Sequence, residues 1–298
     1  MAPITKLGQS MSLWQARASR RWQKSTKWVR DRRRHRVAVP PATPVVTHRH
    51  PNHVFEIRLD AGDRRNVLGR STIDSIEELA ANPPEGTRAI VISAAPPDFC
   101  AGYDLIEASQ GDAEGLIAHE SNFASLRRVA IPIVAALQGN VIGGGLELAL
   151  SADVRIASLE TTFAIPAAKL GLVYSETGIR LVVDAVGESA ARALFLAGRS
   201  LSAESAVGIG LVSEIVGREQ LRDRAIELAT QIASWSEVAS SGNRQILDVV
   251  AGRVEHDTEA LRAQSFAPDS DLFKSIAAFV ARRAQSVSRS SSPVAPKG

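Results

Sequence analysis

The apolar run Pro132–Leu137 passes through Gly139-Asn140-Val141-Ile142 into the triple glycine Gly143-Gly144-Gly145 and then the helical stretch Leu146–Leu150. A buried strand that turns into a helix over glycine limits the fold strongly, and the rest of the chain agrees with it. Val54–Leu59 alternates, with Phe55, Ile57 and Leu59 on one face, and reads as a half-buried strand. Ser71-Thr72-Ile73-Asp74 has capping-box spacing and is expected to open a helix through Leu79. Arg88–Ser93 and Val154–Ala157 read as strands, with a helix expected around Ala113–Arg128. From about residue 185 the pattern is helical: Glu188–Leu196, Ala203–Val207, Gln220–Ser234, Val238–Val250, Thr258–Ser265 and Leu272–Ala284. Strands alternating with helices, followed by a helical end, define an α/β core and an α-helical region.

The 298 residues suffice for one large domain or two ordinary ones, and an apolar share of 45% supports a sizeable core. No run reaches the roughly 18–20 uncharged apolar residues of a membrane span. The single cysteine, Cys100, excludes an intramolecular disulfide, and a small apolar role fits it better than a nucleophilic one. The net charge of +3 conceals an asymmetry, since residues 1–36 hold eleven Lys/Arg against one acid, Asp31. Residues 1–50, with Trp14, Trp22 and Trp28 among the basic residues, are read as an extension expected to be disordered. Its alternatives are a transit peptide and an arm for anionic surfaces. The core carries no sign of nucleic-acid binding. The protein is expected in the cytoplasm, or in mitochondria if residues 1–40 are a transit peptide. His48, His50 and His53 lack a defined ligand spacing, and no metal is expected.

Two segments carry the chemistry. In Asp98-Phe99-Cys100-Ala101-Gly102-Tyr103-Asp104-Leu105, small residues after a strand let the backbone approach a ligand closely. The triple glycine exposes the N–H groups that open a helix. Each alone is equally a tight turn. Lacking a following Gly-Lys-Ser/Thr, the glycines are no P-loop, and GNVIGGG does not have the dinucleotide-binding spacing.

Taken together, FCAGYDL and the later GNVIGGGLELALSADVRIA resemble the crotonase (enoyl-CoA hydratase/isomerase) superfamily. The resemblance spans roughly residues 52–285 and includes Arg65-Asn66-Val67-Leu68, Leu170-Gly171-Leu172, Ala277-Ala278-Phe279 and Arg282-Arg283. It implies a spiral of ββα units with a C-terminal α-helical region, assembled as trimers or hexamers. The expected boundaries are residues 1–50 for the extension, 51–200 for the spiral core and 201–298 for the helical region. A short disordered tail is expected from about residue 287. The resemblance also implies an acyl-CoA substrate, with coenzyme A as part of it and no separate cofactor. The backbone N–H groups of Tyr103 and Gly144 would form an oxyanion hole for the thioester. Arg65, Ala101, Gly102, Asp104 and Leu105 would contact coenzyme A.

The reaction is less constrained. Hydratases of the superfamily use two carboxylates as acid and base. The first falls at Glu147, but the second position holds Ala167. The following loop, Leu170–Ile179, resembles that of methylmalonyl-CoA decarboxylases and carries Tyr174, 27 residues after Glu147 as in that subgroup. Glu176 on the same loop is a second candidate acid or base. The expected activity is therefore a lyase working through a thioester enolate, by hydration or by decarboxylation. An isomerase and a catalytically inactive CoA-thioester-binding protein are the alternatives.

Overall fold

A computed structural model describes residues 42–110 and 123–290. The segment through residue 41, residues 111–122 with the start of the helix expected from Ala113, and the end past residue 290 lie outside them. Strands β1 (Val45–His50), β2 (Val54–Leu59), β3 (Ala89–Ala94), β4 (Ile133–Leu137), β6 (Val154–Ser158) and β9 (Glu214–Val216) form one sheet in that order. β1 is antiparallel to β2, and the other pairings are parallel.

The central strands read as unbroken apolar runs because both of their faces are covered. Ile90, Ile92, Ile133, Ala135 and Leu137 point into the larger core. Ala89, Val91, Val134 and Ala136 point the other way, against Leu221, Ala225, Ala229 and Ala233. Those four recur at one-turn spacing along α8 (Arg218–Ala233), which places them on one side of that helix.

Four times a strand of this sheet leads into a short extended segment and then a helix. After β2 comes Leu68 and α1 (Arg70–Ala81); after β3 come Cys100–Tyr103 and α2 (Leu105–Gln110). After β4 and the short α3 (Ala124–Arg128) that precedes it, β5 (Asn140–Ile142) leads to α4 (Gly144–Leu150). After β6, β7 (Thr162–Ala164) leads to α5 (Ala167–Leu170) and α6 (Glu176–Phe195). The short segments pair with one another: Leu68 with Tyr103, Cys100 with Val141, and β5 with β7. β8 (Ser200–Ser202) closes this second sheet, antiparallel to β7. The chain is therefore a spiral of strand–strand–helix turns. It ends in α7 (Ala203–Gly208), α8, α9 (Glu237–Val250), α10 (Thr258–Ser265) and α11 (Asp271–Ser290).

The structure corrects four expectations. Residues 45–50, assigned to the extension, form strand β1, at the edge of the sheet among the described residues; paired there with β2 alone, it needs no apolar run, and its middle residues are exposed. The helix expected from Ser71 begins at Arg70 with Gly69 as its cap. Its Arg70 N–H is met by the Glu107 carboxylate from the next turn of the spiral, at 3.1 and 3.3 Å, which replaces the local capping box. The loop read over Leu170–Ile179 ends at Ser175, which caps a helix opening at Glu176. That helix is broken at Gly187, whose φ of 76° and ψ of 162° are not helical, and the helix read from Glu188 follows the break. The last helix continues to Ser290, past the tail expected from 287.

Candidate active site

The second and third spiral turns meet where Cys100 pairs with Val141. Ile142 donates to the Cys100 carbonyl at 3.0 Å, and Leu68 donates to the Gly102 carbonyl at 2.9 Å. These bonds hold the backbone of residues 100–104 against the glycine turn. Gly102 has φ +99°, and a Cβ there would lie 3.0 Å from the Ile142 oxygen and 3.7 Å from the Gly144 nitrogen. The two predicted N–H segments therefore adjoin. Gly143, at φ 53° and ψ −117°, makes the reversal that a side chain would oppose. Gly144 opens α4, so no helical carbonyl takes its N–H.

Gly144 and Gly145 are glycine for a different reason, close approach. A Cβ on Gly144 would come within 2.8 Å of the Tyr103 ring, and one on Gly145 within 2.6 Å of the Cys100 carbonyl oxygen. Burial pushes the Cys100 thiol up to about 12, which fits its reading as a packed apolar group.

All seven residues of α4 are buried, and Glu147 is only 4% exposed. The Tyr103 hydroxyl donates to its Oε2 at 2.9 Å. Tyr174 is buried too, packed edge-on to Phe195 with ring centroids 5.1 Å apart. Its hydroxyl lies 3.4 Å from where a Gly143 Cβ would be. Both tyrosines of the chain thus converge on the glycine turn. Ala167, at the position of the missing carboxylate, is buried at the start of α5. Glu176 is not brought to this place. Its side chain is 86% exposed and pairs with Arg180 at 2.9 Å on the outside of α6.

The residues expected to contact coenzyme A lie on two neighbouring segments, Arg65 between β2 and α1 and Ala101–Leu105 after β3, and the two charged ones are engaged there. Arg65, half exposed, bonds Asp98 at 2.6 Å. Burial raises the Asp98 pKa, but hydrogen bonds from Arg65 and Asn140 outweigh this and hold it below the ordinary value. Asp104 pairs with Arg64 at 2.8 Å and caps α2 through the N–H groups of Ile106 and Glu107. Ala101 donates to the Arg65 carbonyl at 2.9 Å, and Leu105 is exposed. Buried Asn66 holds the two segments together. It accepts from Ala61 N–H at 2.8 Å and donates to the Ala95 and Asp98 carbonyls at 2.7 and 2.8 Å. Sequence reading missed the scaffold roles of Asp98 and Asn66 and the side chain of Tyr103. A buried polar pair gives no periodic signal.

A spiral of strand–strand–helix turns, with a glycine turn opening a buried helix beside a second close-packed turn, defines the crotonase class of folds. Residues 49–287 match the enoyl-CoA hydratase/isomerase family, and the chain belongs to it. Carnitinyl-CoA dehydratase of Salmonella paratyphi A is 32% identical over 199 residues, which is 65% of this chain and 76% of that protein. An enoyl-CoA hydratase from Bacillus anthracis superimposes with a TM-score of 0.72 at 25% identity, over 80% of this chain and 96% of its own. DspI of Pseudomonas aeruginosa gives 0.73 at 26% identity, over 82% and 97%.

Proposed function

We propose that this chain is an acyl-CoA lyase of the hydratase/dehydratase type, with Glu147 as its one acid–base side chain. The observation that carries this reading is the position of Glu147. It is a buried carboxylate on the helix that Gly144 opens, next to the Gly102–Tyr103 turn. The Tyr103 and Gly144 N–H groups serve as the oxyanion hole, and Ala101–Leu105 with Arg65 receive coenzyme A. In dehydration the Glu147 carboxylate removes the proton on the carbon next to the thioester. The C–H electrons move onto the thioester oxygen, where the two N–H groups stabilise the negative charge. As the enolate collapses, the double bond forms, the β-carbon–oxygen bond breaks, and the departing hydroxyl takes the proton that Glu147 holds. Hydration is the reverse. One carboxylate serves both proton transfers, so Ala167 is compatible with the chemistry. The dehydratase relative supports this direction of reading.

Decarboxylation is a second reading, favoured by the buried Tyr174 hydroxyl beside Gly143. There the bond to the carboxylate carbon breaks, carbon dioxide leaves, and the same oxyanion hole holds the enolate until it is protonated. Self-association as a trimer or hexamer belongs to the same proposal. Leu272, Phe273, Ile276, Phe279 and Val280 expose an apolar row on α11 that supports it.

The test is turnover of crotonyl-CoA, β-hydroxyacyl-CoAs, malonyl-CoA and methylmalonyl-CoA by three variants. Glu147→Gln is expected to lose about 10²–10⁴ in hydration and dehydration, the range for a positioned acid or base. Glu176→Gln is expected to stay near wild type, because its carboxylate faces solvent. Release of carbon dioxide that falls in Tyr174→Phe would transfer the assignment to decarboxylation. Binding of CoA thioesters without turnover of any of them would identify an inactive member.

A further inference from the structure

We infer that the Tyr103 side chain is a positioning residue, fixing the Glu147 carboxylate relative to the oxyanion hole; this rests on Glu147 being the acid–base group. Only the backbone of residue 103 is needed for an oxyanion hole, so its side chain is available for a second task. The geometry places the phenol in two ways. Its backbone is pinned on either side, by Leu68 N–H to the Gly102 carbonyl and by Asp104 N–H to the Leu68 carbonyl, both at 2.9 Å. Its ring lies where a Gly144 Cβ would be, 2.8 Å from Cε2 and Cζ, so the absent side chain is the ring's seat. From there the hydroxyl reaches Glu147 Oε2 at 2.9 Å. A glutamate has rotatable bonds out to its carboxylate, and proton transfer needs that group held within hydrogen-bond reach of the substrate carbon. The family's second carboxylate is Ala167 here, so Tyr103 supplies a polar contact to Glu147 from the other side of the glycine turn. One residue thereby couples the oxyanion donor, through its backbone, to the base, through its hydroxyl.

Tyr103→Phe keeps the ring in its seat and removes only the hydroxyl. Loss of a hydrogen bond to a charged group corresponds to roughly 10–100-fold, and this loss is expected in kcat with KM nearly unchanged. In a Glu147→Gln background the same change should cost less than about twofold, because the carboxylate it positions is gone. A merely structural loss would be equally large in both backgrounds. A second readout is independent of turnover. The chain has two tyrosines, so uniform 3-fluorotyrosine labelling should give two fluorine resonances, assigned by Tyr103→Phe. The Tyr103 resonance is expected to move on Glu147→Gln and the Tyr174 resonance to move less. Wild-type kcat in Tyr103→Phe, equal losses in both backgrounds, or an unmoved Tyr103 resonance would each overturn the positioning role while leaving Glu147 as the base. Full turnover by Glu147→Gln would overturn the base assignment and the positioning role with it.

Discussion

At Gly144 two requirements coincide, a backbone donor and a vacant space for the Tyr103 ring, and a pair of substitutions separates them. Gly144→Ala keeps the N–H but drives a Cβ to 2.8 Å from the ring. Gly144→Pro adds the same carbon and removes the N–H as well, at a first helical position where proline is tolerated. Both variants should displace the ring and lose turnover. Pro should be lower than Ala by about 10²–10³ in kcat, the value of one oxyanion donor. Circular dichroism checks that both remain folded, and equal activity in the two would remove Gly144 from the hole. The glycines were legible in the sequence, since Gly143 alone needs its backbone conformation and the others need space. Glu176 shows the opposite case. It stands two residues from Tyr174, but Ser175 caps the helix between them and Glu176 begins its outer surface. Nearness in sequence says nothing about facing at a helix start. Nor could the sequence tell that Tyr103 uses its side chain, because the contact with Glu147 spans 44 positions and depends on the spiral.

Among the elements, β2 carries a buried Glu56 that ties four segments together. Its carboxylate accepts from Arg222 on α8 at 2.8 and 2.6 Å and from Ser93 on β3 at 2.6 Å, and it lies 2.8 Å from His50 Nε2 on β1. Burial raises the Glu56 pKa, but those partners outweigh it and hold the group at about 2, against an ordinary 4.5. A depressed carboxyl contributes stability that is fully present above its unfolded value. That stability is lost as pH falls from about 4.5 towards 2. Urea midpoints should therefore decline across this window. Glu56→Gln should be less stable at neutral pH by about 1.5–3 kcal/mol, the scale of a hydrogen bond to a charged group. Its decline between pH 4.5 and 2 should also be shallower than that of wild type. A parallel decline would show that other carboxylates set the acid limit. No periodicity announced this site: in sequence Glu56 is one polar residue alternating with Phe55 and Ile57, which reads as the solvent face of a strand. It is buried because β2 is an inner strand with α8 lying over that face.

For the whole molecule, the order of α/β spiral and helical end was legible because apolar runs and helical periodicity are local. Where the spiral's sheet begins was not. Thr43 and β1 look like the polar, Pro-flanked end of the extension, yet Thr43 is buried. Its hydroxyl donates to the Val67 carbonyl at 2.6 Å, and its own carbonyl accepts from Thr72 at 3.1 Å. Val67 is two residues from Gly69, and Thr72 lies in the first turns of α1, so these bonds clasp the start of the first spiral turn. Beyond it, Leu68 pairs with Tyr103. Two chains test this boundary, one beginning at Ala42 and the other at Pro51. The second loses β1, both Thr43 bonds and the His50 contact to Glu56. The two Thr43 bonds alone correspond to about 1–3 kcal/mol. At about 2–4 °C per kcal/mol for a domain of this size, the Pro51 chain should melt at least several degrees below the Ala42 chain. Its turnover at low temperature should fall less than its melting point suggests, because the clasp is on the first spiral turn and Glu147 is on the third. Identical melting of the two chains would show that β1 is an ornament of the sheet edge, and would return the start of the core to Val54.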